Sequence, residues 1–297
     1  MKPFQALAIR RAGAVFSDEE LVLTTASHAG TAAHQALALH MLESFDHVES
    51  DLGCPPDLPF DRATARTMVE PRRLAMNCSG KHAGMLAACR VNGWDDETYL
   101  DIAHPLQQRV RSTVEEFTHE TADVVGTDGC GAPVFPLTLA GLARGFAAVV
   151  ARAEADTAAL TDAVLDHPWA IDGIGRANTV TIERLRVLAK LGAEGVMVMG
   201  LPGGAAVAVK TLDGAQRAGT LAALTLLDGT ASSTLPVWRT SWRRPARRSW
   251  AAGFRWVRCA SATVCADVMP APRAAGARVT PECHAVRPAG ARSTRSG

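Results

Sequence analysis

The segment Cys78-Ser79-Gly80-Lys81-His82 places a thiol and an amine three residues apart in a glycine-containing turn, followed by an apolar run that reads as helix. Cys130 lies in a second turn, Asp128-Gly129-Cys130-Gly131-Ala132-Pro133, whose glycines permit unusual backbone angles and close approach of chain segments. Two thiolates from separate loops make a soft donor pair suited to zinc. Spacing alone favours the plainer alternative of buried free thiols, because there is no Cys-x-x-Cys pair and a protonated lysine is a poor ligand.

A second chemistry is serine activation by lysine. The chain holds 27 arginines but only four lysines, Lys2, Lys81, Lys190 and Lys210. Arginine keeps its proton, whereas an ammonium buried near other cations loses it and can then accept a serine proton. Ser27 and Ser79 are the candidate serines, and the Ser-x-x-Lys arrangement of penicillin-recognising enzymes is the precedent. Lys210 ends an Ala-Val-Ala-Val run and is expected at a strand terminus; for each lysine the alternative is a solvated surface charge. The histidines at 28, 34, 40 and 47 lack the i, i+3 or i, i+4 spacing of helical ligand pairs and read as a polar, partly exposed face. Pro202-Gly203-Gly204 reads as a turn, since it lacks the further residues of a phosphate loop.

These residues need elements to position them. Helices are expected over 3–14, from a cap at Ser17 onward, and over 31–43, which puts Ser27-His28-Ala29-Gly30 just before a helix start. Residues 53–59 form a loop, because three prolines deny a helix its donors. Further helices are expected over 82–92, 95–118 and 137–150, with a break of glycine, aspartate and proline around 126–136. Residues 195–201 and 205–211 are short apolar runs across a Pro-Gly-Gly turn and read as paired strands. Helices in the middle and strands towards the end predict an α+β class, a mixed layered domain.

At 297 residues and 47% apolar content the chain can build one large domain or two modest ones. No run of 18 or more apolar residues occurs, and the first residues lack the succession of a signal peptide, so a soluble cytoplasmic protein with no membrane partner is expected. Seven irregularly spaced cysteines then fit free thiols or metal ligands better than a disulfide framework. The formal net charge of +1 conceals an asymmetry: residues 229–297 carry 12 arginines, no lysine and two acids, while the first 228 carry 19 basic and 28 acidic residues. Four of the six tryptophans crowd into 238–256, and no periodic face can be drawn there. The stretch 229–297 is expected to be a disordered tail or an out-of-frame segment. A basic, tryptophan-bearing tail that binds nucleic acid is the alternative, and nucleic acid is not the preferred partner.

Lys2 to Ala6, Ala26 to Gly30, Asn77 to Met85, Asp128 to Pro136, Gly173 to Arg176, Ala193 to Val196 and Ala208 to Lys210 together resemble, in order and spacing, the asparaginase II family typified by rhizobial asparaginases. The resemblance covers roughly residues 1–228, taken as an amidohydrolase domain. It implies a fold similar to the serine β-lactamase and glutaminase class, and hydrolysis of asparagine to aspartate and ammonia. It implies zinc at Cys78, Lys81 and Cys130, with Asp128 beside it. Ser27 and Lys210 match a serine–lysine pair, Lys2 matches the lysine of a Ser-x-x-Lys motif, and His82, Asp128 and Arg176 are expected to contact substrate. The family's serine three residues before Lys2 and its N-terminal strand precede Met1, so an N-terminally incomplete domain is expected. The resemblance leaves a homodimer open, and also a related amide such as glutamine. A non-catalytic binding protein is the rival reading.

Overall fold

In the computed structural model, which describes residues 1–230 and 264–269, the first element is helix α1, Lys2–Arg11. Pro3 sits in its first turn, where a missing N–H costs nothing, and Phe4, Leu7, Ala8 and Ile9 are buried. Helix α2, Asp18–Thr25, starts at a capping box in which Ser17 accepts from the Glu20 N–H while the Glu20 carboxylate takes the Ser17 N–H. Helix α3, Ala32–Glu43, begins at Thr31, whose hydroxyl accepts from the His34 N–H. The short α4, Arg62–Thr67, is capped by Asp61. Helix α5, Ser79–Asn92, ends at Gly93 in the left-handed region.

The helix expected over 95–118 exists only in its second half, as α6, Pro105–Thr118. Asp95 and Asp101 accept from the backbone N–H groups of Glu97 and Ala103 at 3.1 and 2.8 Å, a local bonding pattern that competes with the helical ladder. Pro105 then holds His104 extended, and the His104 Nδ1 caps the helix by accepting from the Leu106 N–H.

Strands β1, Gly126–Thr127, and β2, Pro133–Val134, form a two-residue ladder that closes the loop around Asp128 and Cys130. Helices α7, Leu139–Ala151, α8, Ala155–Asp166, and α9, Ala177–Leu185, lead into the main sheet. Its strands are β3, Leu188–Leu191, β4, Val196–Leu201, β5, Ala205–Thr211, and β6, Val264–Met269, antiparallel in the order β3-β4-β5-β6. Helix α10 spans Gly219–Thr230. A Cβ added at Gly200 would meet Val150 and Phe146 of α7, whereas Met197, of opposite parity on β4, faces Gly219 of α10. Helices therefore cover both faces of the sheet, which explains why β4 and β5 are almost continuously apolar. The domain is α+β, as its pattern of elements predicts. The remainder of the 229–297 stretch lies outside the described residues, and no helix among the described residues is long and apolar enough to cross a membrane.

Two glycines bring α5 close to α2. A Cβ at Gly80 would lie 2.4 Å from the Leu23 side chain and 2.8 Å from the Leu23 carbonyl oxygen, and one at Gly84 would lie 2.8 Å from Thr24. Spaced four apart, they let α5 press its backbone onto the last turn of α2. The N-terminus of α5, bearing Cys78 and Lys81, is brought against the chain that leaves α2 at Ser27.

Candidate active site

Ala26 is extended, with φ −71° and ψ 155°, so Ser27 leaves α2 at its C-terminus. The turn beyond it is held from two sides. Ser27 and Ala29 donate their N–H groups to the carbonyls of Ile171 and Asp172 at 3.2 and 2.7 Å, and His28 donates its own to the Asn77 carbonyl at 3.2 Å. Gly30, at φ +70°, closes the turn where a Cβ would lie 2.5 Å from the Ala75 oxygen.

Two amines converge on the Ser27 hydroxyl. Lys2 Nζ lies 2.7 Å from Oγ and donates to the Ala26 carbonyl at 2.6 Å. Lys190 Nζ lies 2.9 Å from the same Oγ and donates to the Leu191 carbonyl. Lys190 is 4% exposed, and burial, with the positive charge of Lys2 second, pulls its amine down to about 7. Asp172 opposes that shift without cancelling it.

Lys210, expected to pair with Ser27, does not reach it; its amine donates to the carbonyls of Glu194 and Thr211. The register gives the reason. Lys190, Val198 and Ala208 stand opposite one another across β3, β4 and β5, and Lys210 is two residues beyond Ala208, so both lysines share a face. Two strand spacings, roughly 10 Å, separate them across the sheet. Lys190, on the edge strand, takes the place assigned to Lys210.

Ser79, the other candidate serine, is fully engaged. The Gly30 N–H donates to His28 Nδ1 at 3.1 Å, which leaves the ring proton on Nε2, 3.0 Å from the Ser79 Oγ. Ser79 accepts there and donates to the Leu74 carbonyl at 2.9 Å. Burial, followed by the charges of His34, Lys2 and Lys190, holds His28 neutral, well below its ordinary value. His28 stacks on His34 with ring centroids 5.0 Å apart. The polar, partly exposed face expected of the histidines therefore fails for His28, His34 and His47, which are buried; His40 alone of the four is exposed. Their rings are hidden because His28 and His34 bond through both nitrogens and His47 faces Asp51 and Asp96.

Beyond Lys2 lies a sulfur-rich cluster. One ligand atom each from Cys78, Asp128 and Cys130 all lie within 4.8 Å of one another. Lys81, fully buried, donates to Cys130 Sγ at 3.0 Å and lies 3.7 Å from Asp128 Oδ2. The neighbouring Cys130, helped by Lys2 and Lys81, draws Cys78 below its ordinary value against its burial, while Cys78 and burial push Cys130 up. Burial opposes the charge on Lys81, but Cys78, Cys130 and Asp128 together outweigh it and hold the amine above its ordinary value.

His82 and Arg176, expected to touch substrate, are engaged with protein groups. His82 is fully buried, and its Nδ1 lies 2.6 Å from the Tyr99 hydroxyl, which itself accepts from the Gly53 N–H at 2.7 Å. Arg176, partly exposed, pairs with the buried Asp172. Four described cysteines, Cys54, Cys78, Cys89 and Cys130, are free. Sequence reasoning missed Tyr99 and Asp172, and named Lys190 only as one of four lysines; that scarcity was the signal that could have found it.

The structure therefore unites Lys2, Ser27, Cys78, Lys81, Asp128 and Cys130 in one neighbourhood, adds Lys190 and leaves Lys210 out. A search of curated proteins finds no match. The family model described as L-asparaginase II matches residues 1–247, most of the chain, and on that match the chain belongs to the L-asparaginase II family.

Proposed function

We propose that the chain hydrolyses the side-chain amide of L-asparagine to L-aspartate and ammonia, with Ser27 as nucleophile and Lys190 as its base. The observation that carries this reading is the Ser27 Oγ held 2.7 and 2.9 Å from the amines of Lys2 and Lys190, the second drawn down to about 7. A neutral Lys190 accepts the Ser27 proton as Oγ attacks the amide carbon, and Lys2 donates to the serine oxygen and fixes its direction. The proton passes to the departing nitrogen, ammonia leaves, and water deprotonated by Lys190 cleaves the ester. Asp128 suits the substrate's ammonium group, and Arg176 its carboxylate. His82 acts at one remove, through the packing of α5.

Cys78, Cys130 and Lys81, with Asp128 beside them, fit zinc by donor chemistry: sulfur and amine are ligands that this borderline-soft ion accepts. Lys81 would have to give up its proton to join them, so metal uptake is coupled to pH. Bound there, zinc supplies positive charge that orients and polarises a substrate oxygen. Free thiols at this cluster suit a reducing, cytoplasmic compartment.

The test is ammonia release from asparagine by the purified full-length chain, beside Ser27→Ala and with glutamine as competing substrate. Release lost in Ser27→Ala supports the reading. An inactive wild-type chain, or a Ser27→Ala variant with full turnover, overturns it.

A further inference from the structure

Three contacts of His28 have no part in the proposed chemistry, yet they join its two halves. The His28 N–H donates to the Asn77 carbonyl at 3.2 Å, and the Nε2–H donates to Ser79 Oγ at 3.0 Å. These partners flank Cys78 on either side. The residue before His28 is Ser27, and the Gly30 N–H donates to His28 Nδ1 at 3.1 Å, so the ring also fixes the turn that aims the Ser27 hydroxyl. The ring has little freedom to move, being fully buried and stacked on His34, which is itself held by Thr31 and the Trp169 carbonyl. Ser79 extends the link to the Leu74 carbonyl and opens α5.

We infer that His28 is a positioning residue that locks the Ser27 turn to the Cys78 turn, so that the reactivity of the serine and the metal affinity of the cysteine cluster are set together. The inference rests on the assignment of Ser27 as nucleophile and of Cys78 as metal ligand. It concerns their coupling, which neither assignment supplies. Its physical basis is the cost of leaving a buried N–H without an acceptor, the Gly30 N–H when the ring is lost and the ring N–H when Ser79 is lost: the two turns then relax, and one displacement reaches both sites. Glutamine at 28 can place a donor amide near the position of Nε2, whereas leucine cannot.

The experiment compares the full-length wild-type chain with His28→Leu, His28→Gln and Ser79→Ala. Two quantities are measured: Co²⁺ affinity, from the thiolate-to-metal absorption band, and the rate at which a fluorophosphonate labels Ser27, from peptide mass spectrometry. In His28→Leu and Ser79→Ala, both Co²⁺ affinity and labelling rate are expected to fall about 10- to 100-fold, the usual range for loss of a group that supports a ligand. His28→Gln is expected to recover most of both. Ser79→Ala removes a single hydroxyl and keeps the test open if His28→Leu does not fold. Variants that change one quantity without the other, or neither, overturn the inference, as does a wild-type chain that takes up no Co²⁺ or whose Ser27 takes no label. Neither readout needs asparagine turnover, so a chain inert towards asparagine would sink the functional reading while leaving this coupling standing.

Discussion

Lys190 Nζ lies 2.9 Å from Ser27 Oγ, although 163 residues separate them in the chain. The contact unites the end of a helix with the edge of the sheet, and it sets beside the serine an amine drawn down to about 7 by burial. Lys190→Met is expected to lower kcat by about 10²- to 10⁴-fold, the usual contribution of a general base. Lys210→Met, which removes the amine's bonds to the Glu194 and Thr211 carbonyls, is expected to stay within about twofold of wild type. Steady-state kinetics of the two variants check the exchange of roles directly.

The pH dependence follows from the same residue. With the Lys190 amine at about 7, the protonated form cannot take the serine proton, so kcat/KM is expected to rise with pH through about 7. Below that value it should fall about tenfold per pH unit. A flat profile from pH 6 to 9 would exclude Lys190 as base.

Stability should respond to acid through the buried histidines. His28 and His34 are both held below their ordinary value, burial first, so the unfolded chain binds protons below about pH 6.5 that the folded chain refuses. Stability is fully present above that pH and is lost as pH falls, by up to ~1.4 kcal/mol per pH unit for each histidine. Urea unfolding at pH 7.0 and 5.5 measures it, and His28→Gln is expected to reduce the slope.

The approach of α5 to α2 is tested by adding one methyl group. Gly80→Ala would set a Cβ 2.8 Å from the Leu23 carbonyl oxygen, which cannot step aside as a side chain can. A loss of ~1–3 kcal/mol is expected, larger than the gain in helix propensity of up to ~1 kcal/mol. Gly129→Ala, whose added Cβ meets nothing within 4 Å, is the control and should change stability by less than ~0.5 kcal/mol.

Metal uptake has its own signature. Cys78→Ala and Cys130→Ala are expected to lose zinc affinity at least tenfold in chelator competition, while Cys89→Ala, in the last turn of α5 and away from the cluster, keeps it. Affinity should fall as pH falls, because protons compete for the ligands.

Local rules made much of this legible. The cap at Ser17 announces α2, apolar recurrence over 31–43 announces α3, and the Pro-Gly-Gly turn between two apolar runs announces β4 and β5. The cysteine turns were visible as glycine-flanked thiols, although spacing alone argued for plain buried cysteines. What stayed hidden depended on contacts far apart in sequence. Lys190 sits on a four-residue strand too short to show alternation, and its role follows from a register that only the assembled sheet fixes. His28 looked like one of a polar row because burial by His34 and Ser79 is a tertiary fact. The false helix over 95–104 arose because periodicity does not register aspartates that bond their own backbone.

The central claim is that Ser27 becomes covalently acylated by the substrate, and rapid-quench mass spectrometry of the full-length chain with asparagine tests it most directly. An aspartyl ester is expected on the peptide that contains Ser27, absent in Ser27→Ala and greatly diminished in Lys190→Met. Turnover of asparagine with the adduct on another residue, or undiminished in Ser27→Ala, would contradict it.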